Sequence, residues 1–138
     1  MAKIKIGVFG AWRGNSYIDL MLAEPEIEIV AICDKNIASM EDENKEKWGD
    51  IACFTEFDEF LAYGVKAGMN CVFLANFFHQ HAPFAIKAMN AGMDVFSECT
   101  AAATLKDCVE LVETVEKTGR KYMLCENYPF ATDMLKMA

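Results

Sequence analysis

A chain of 138 residues that is 54% hydrophobic and 25% charged, with only three prolines, is long enough for one domain with a real core, and disorder or low complexity is excluded. Its net charge of −8, with thirteen scattered basic residues, argues against a nucleic-acid partner, because such binding draws most of its affinity from clustered Lys and Arg. There is no run of eighteen apolar residues and no apolar leader before the first strand, so no membrane partner is expected and the chain reads as cytoplasmic.

The elements follow from periodicity and punctuation. A first strand is expected over Lys3 to Phe9, then a helix near Ser16 to Ala23 that stops around Pro25. A second strand spans Ile27 to Cys33. Asn36 opens the helix IASMEDENKEKW and Gly49 closes it, with Glu41 to Lys45 and Glu43 to Lys47 spaced for pairing on a solvated face. Ile51 to Phe54 forms a third strand, and Thr55 opens EFDEFLAY before Gly64. Met69 to Ala75 forms a fourth strand, HAPFAIKAMNA a helix ending at Gly92, and Asp94 to Ser97 a fifth strand. Thr104 caps the helix from Leu105 to Lys117, whose expected apolar face is Leu105, Cys108, Val109, Leu111, Val112 and Val115; Gly119 stops it. Lys121 to Cys125 forms the sixth strand.

Six alternations of strand and helix with short connections imply a doubly wound α/β fold, a parallel sheet of about six strands with helices on both faces. The Met and Phe residues belong mostly to its core. Six cysteines without a CxxC pair, most of them in apolar segments, read as buried free thiols.

In such a fold ligands bind beyond the carboxyl ends of the strands, where strand order reverses. The stretch Gly10, Ala11, Trp12, Arg13, Gly14, Asn15 therefore stands where a dinucleotide's pyrophosphate would meet a tight turn and the start of a helix. The usual G-x-G-x-x-G spacing is broken at Trp12 and Asn15, so a glycine-containing turn with no ligand is the competing reading. Arg13 is the local cation placed to reach a phosphate. Asp34 ends the second strand, 24 residues after Gly10, where a carboxylate accepts hydrogen bonds from the adenosine ribose. Its plain alternative is to cap the next helix. An acid there favours NAD over NADP, although Lys35 partly offsets its repulsion of a 2′-phosphate. His79 and His81, without a third ligand nearby, make a poor metal site, and none is expected.

The order IGVFG, VAICD and VFLANFFHQHAPFAIKAMNAGMDVFSECTAAATL resembles the amino-terminal domain of the Gfo/Idh/MocA family of NAD(P)-dependent oxidoreductases. The family's fourth strand leads into a Thr-Pro-Asn-type turn and a helix-opening His, which here become Asn76, Phe77, Phe78 and His81. The resemblance implies that Asn76, Phe77, His81 and Glu98 serve the nicotinamide end. The family's Glu-Lys-Pro place holds Glu98, Cys99 and Thr100, so the lysine that orients the reacting hydroxyl is replaced by Cys99. Three readings of Cys99 stay open: a branch with its acid and base elsewhere, a domain that binds cofactor without turning it over, and a reactive thiolate. His81 and Glu98 are the remaining candidates for a catalytic role, and the catalytic set is unassigned.

The resemblance further implies residues 1–125 as a dinucleotide-binding domain and 126–138 as the start of a linker helix toward a substrate domain, with Asn127 matching a family Asn and Pro129 standing where many members have arginine. The expected function is the nucleotide-binding domain of an oxidoreductase acting on a sugar, polyol or related small hydroxyl compound, able to bind cofactor but not a complete catalyst alone. Self-association into a homo-oligomer is expected from an apolar surface facing the missing half. The alternatives are a non-catalytic NAD-binding or interaction module and a methyltransferase, which GMDVFSE fits poorly.

Overall fold

The computed structural model describes residues 3–127. Six strands, β1 (Ile4–Phe9), β2 (Ile27–Cys33), β3 (Ala52–Phe54), β4 (Cys71–Leu74), β5 (Asp94–Ser97) and β6 (Tyr122–Leu124), alternate with five helices. The helices are α1 (Ala11–Ala23), α2 (Ile37–Trp48), α3 (Phe57–Ala67), α4 (His81–Asn90) and α5 (Leu105–Thr118), with a 3-10 turn at Phe78–Gln80 before α4. All strand pairs are parallel, in the order β3-β2-β1-β4-β5-β6. The expected doubly wound sheet is therefore present, and its order reverses between β1 and β4.

Alternation along the strands divides the core in two. Ile6, Val8, Cys71 and Phe73 face α1 and α2, where they meet Ile18, Ile37 and Trp48. Phe9, Val72 and Leu74 face α3, α4 and α5, where they meet Phe57, Phe60, Met89 and Leu111. Each fully buried large side chain, such as Ile18 or Phe60 at 0% exposure, contributes about 1.5–3 kcal/mol of burial free energy. The helices on the two faces thus leave the crevice between β1 and β4 with walls from opposite sides of the sheet.

Four expectations are corrected. Helix α1 begins at Ala11, directly after Gly10, and not near Ser16; Gly10 takes the left-handed conformation at φ 94°, which lets the chain turn at once from strand to helix. Helix α3 runs through Gly64 to Ala67 and ends at Gly68, because Gly64 is the flat spot on which Met69 packs: a Cβ there would meet Met69 Cε at 2.2 Å. On α5, Leu111 is buried and Val115 packs inward, while Leu105, Val109 and Val112 are exposed. Lys47 reaches across to Asp19 and to Asn15 Oδ1 (3.0 Å) on α1 and not along its own helix to Glu43.

The caps at Thr104 and Gly119 stand as expected, with Thr104 Oγ1 accepting from Asp107 N–H at 3.1 Å. All six cysteines are free, but only Cys33 and Cys71 are fully buried and Cys108 is exposed. Glu126 and Asn127 are not helical; the rest of the expected linker helix, Pro129 included, lies outside the described residues.

Candidate functional site

A cavity of about 410 Å³ opens at the carboxyl ends of the strands, at the β1/β4 reversal. That volume is in the range of small-molecule sites. It brings together Gly10, Trp12, Arg13, Asp34, Lys35, Asn76, Phe77, His81, Glu98 and Cys99. Three other expected residues lie elsewhere. Ala11, the first residue of α1, is buried in the core, and Gly14 sits inside the helix with Val8 Cγ1 3.1 Å from where its Cβ would be. Asn15 is held by Lys47.

The reason for glycine at position 10 is steric as well as conformational. A Cβ there would stand 2.4 Å from the backbone C and O of Ala75 and from Asn76 N. Closeness of this kind lets the end of β1 nest against the end of β4, with Ala75 N–H donating to Phe9 O at 2.7 Å. It also brings the amino-terminal turn of α1, the positive end of the helix dipole, to the cavity wall.

The Asp34 carboxylate is held by two backbone amides. Its Oδ1 accepts from Asn36 N–H at 2.9 Å in the turn that precedes α2, and its Oδ2 accepts from Trp12 N–H at 3.2 Å. The carboxylate is thereby fixed at the start of α1, on the rim of the cavity.

Glu98 is 9% exposed, and a buried carboxylate needs partners. Arg13 Nη2 lies 3.4 Å from Glu98 Oε2, and the Tyr17 hydroxyl donates to Glu98 Oε1. That hydrogen bond, then burial, pushes the Tyr17 phenol up to about 12. Arg13 is accordingly turned toward Glu98, where its charge offsets the buried acid. Tyr17 carried no sequence signal of this role, since its partner is 81 residues away.

His81 is 1% exposed. Its Nδ1 lies 2.8 Å from Thr100 O and its Nε2 3.1 Å from Asn76 O, so both nitrogens are engaged by the loops that follow β4 and β5. Its effect on the cavity is to hold those loops together.

Cys99 Sγ donates to Glu126 Oε2 at 2.9 Å. This hydrogen bond first, and burial second, push the Cys99 thiol up to about 11, with Glu126 and Glu98 adding repulsion of the thiolate. The reactive-thiolate reading therefore loses its chemical basis, since the nucleophile is the anion. In alkylation near pH 8, mapped by mass spectrometry, exposed Cys108 is expected to be labelled well ahead of Cys99; labelling of Cys99 first would restore the thiolate reading.

Two features fit a bound dinucleotide independently of any glycine pattern. The Gly10 cradle admits no side chain, and Asn76 Oδ1 is buried with no hydrogen-bond partner in a residue that lines the cavity, an acceptor left for a ligand. Among the described residues no group of three His, Cys, Asp or Glu could hold a metal ion, and no helix is long and apolar enough to cross a membrane.

Comparison with known proteins agrees with this geometry. Among curated proteins, the chain is 28% identical over 143 residues to an alpha-N-acetylgalactosaminidase of Shewanella oneidensis, covering 98% of this chain and 31% of that protein. It is also 28% identical to a glycosyl hydrolase family 109 protein of Saccharopolyspora erythraea, covering 97% and 30%. The chain thus spans about a third of the length of the curated relatives it matches.

Among solved structures, the WlbA dehydrogenase from Bordetella pertussis, in complex with NADH and UDP-GlcNAcA, superposes with a TM-score of 0.83 at 21% identity, over 97% of this chain and 41% of that one. A dehydrogenase from Chromobacterium violaceum gives 0.83 at 22%, over 99% and 40%. Residues 4–126 match the oxidoreductase family described as having an NAD-binding Rossmann fold. The chain belongs to the Gfo/Idh/MocA oxidoreductases, and this region is their NAD-binding domain.

Proposed function

We propose that this chain is the cofactor-holding part of an NAD-dependent oxidoreductase whose parent acts on a sugar, polyol or related hydroxyl compound in the cytoplasm. The observation that carries the cofactor choice is Asp34, a carboxylate fixed at the cavity rim beside the first turn of α1. It accepts hydrogen bonds from ribose hydroxyls and repels a 2′-phosphate, with Lys35 reducing but not cancelling that repulsion.

The other residues then divide the cavity by chemistry. Gly10 and the first turn of α1 receive the pyrophosphate. Asn76, whose buried Oδ1 lacks a partner, takes a donor at the nicotinamide end, where Phe77 and Glu98 complete the wall and His81 holds the loops in register. When bound, the nicotinamide ring accepts or delivers the hydride. Cys99 cannot supply the cation that the family lysine provides, so in this reading another group is the acid or base acting on the substrate hydroxyl. The relatives' names point to sugars: one is a glycosidase and one structure contains UDP-GlcNAcA.

A second reading, a module that binds NAD without turning it over, is favoured by the same Cys99, which is held as a neutral thiol by Glu126. The distinguishing measurement is titration of the 138-residue chain with NADH and NADPH by nicotinamide fluorescence, alongside Asp34→Ala and its thermal melt. Saturable NADH binding, preferred over NADPH and weakened about tenfold or more in a folded Asp34→Ala, is expected, as loss of hydrogen bonds to a charged group costs about 1.5–3 kcal/mol. Binding of neither dinucleotide to the wild type overturns both readings.

A further inference from the structure

The cofactor reading leaves Trp12 unexplained. An indole on the first turn of α1 is 81% exposed, a large apolar surface left in water beside a cavity that it lines. The chain has two tryptophans. Trp48 is a core residue at 3% exposure, so the exposure of Trp12 is particular to its place.

That place is defined by its own backbone. Trp12 N–H is bonded to Asp34 Oδ2, so the indole stems from the residue next to the carboxylate that receives the adenosine ribose, and Lys35 and Asn36 line the same end. The opposite end is polar, with Asn76, Glu98 and Cys99. The turn leading into α4 adds Phe78, 59% exposed, to the lining of the same crevice. A largely apolar crevice with exposed aromatic faces suits a flat ring, and the flat ring joined to the ribose at Asp34 is the adenine.

We propose that the Trp12 indole stacks on the adenine half of the bound dinucleotide, so that the residue which breaks the glycine pattern contributes binding by its side chain. This rests on the cofactor reading above. Stacking is tolerant of which aromatic ring supplies the face, and it involves no proton transfer. Trp12 is thus a binding residue with no part in chemistry.

The test is calorimetric titration of the full 138-residue chain, as wild type, Trp12→Ala and Trp12→Phe, with NADH and with ADP-ribose, together with tryptophan emission. Because Trp12 is exposed, both variants are expected to melt as the wild type does. Trp12→Ala is expected to weaken both ligands about tenfold, and Trp12→Phe to retain most of the affinity. ADP-ribose, which has no nicotinamide, is expected to change the emission of the wild type and to leave that of Trp12→Phe, which reports only Trp48, unchanged. Wild-type affinity for both ligands in Trp12→Ala would overturn the proposal alone and leave the cofactor reading standing. Loss of NADH but not ADP-ribose affinity would move the indole to the nicotinamide end and overturn it equally. A wild type that binds neither ligand would overturn the cofactor reading and this proposal together.

Discussion

Gly10→Ala is expected to lower the stability of the chain by about 2–5 kcal/mol and to abolish measurable NADH binding. Two costs combine. An L-residue at φ 94° pays about 1–2 kcal/mol for the left-handed conformation, and overpacking typically adds about 1–3 kcal/mol. The new methyl would stand 2.4 Å from Ala75 C and O and from Asn76 N, which are backbone atoms unable to swing aside as a side-chain end would. Relief requires β1 and β4 to separate at their carboxyl ends, where the cavity lies. Gly92→Ala is the control, since Gly92 shares a positive φ of 90° but a Cβ there meets nothing within 4 Å. Urea denaturation of both variants separates strain from collision, and equal losses would show that the turn yields and the collision is not decisive.

The parts of this molecule that sequence reading reaches are those governed by local chemistry. The alternation of strand and helix follows from apolar runs separated by helical stretches, and the caps at Thr104 and Gly119 follow from the residue types themselves. Asp34 and Glu98 were identifiable because each ends a strand, and strand ends are where a doubly wound sheet places ligands. What sequence could not show depends on partners far along the chain. Gly64 looks like a helix stop until Met69 is seen packed on it. The amphipathic pattern of α5 counts Leu105, Val109 and Val112 as core, yet the helix buries only the stripe through Leu111 and Thr114. The start of α1 was misplaced because Trp12, Arg13 and Gly14 have the composition of a loop. Gly10 alone makes the turn, and Asp34, 22 residues on from Trp12, meets the helix amide.

The same distinction explains the polar residues around Glu98. Sequence shows an acid without its family lysine, which suggests a site short of positive charge. The structure supplies Arg13 and Tyr17 from the next face of α1 and assigns Cys99 to a second acid, Glu126. The charge missing at position 99 is thus partly returned by Arg13, but to stabilise Glu98 and not to face a substrate.

His81→Ala is expected to be the second large effect, with a loss of about 2–5 kcal/mol for truncating a side chain only 1% exposed, since the change opens a cavity and leaves a part-buried carbonyl oxygen without its donor. A neutral imidazole carries one N–H, so it donates to either Thr100 O or Asn76 O, and the ring spans the loops after β4 and β5 whichever tautomer is present. Removing it frees both loops at the nicotinamide end, while Asp34 and the first turn of α1 keep their contacts. In a variant still folded by thermal melt, NADH affinity is therefore expected to fall while ADP-ribose affinity is largely kept. Equal loss of both would mean that the ring supports the whole crevice, and unchanged NADH affinity with lower stability would confine His81 to packing.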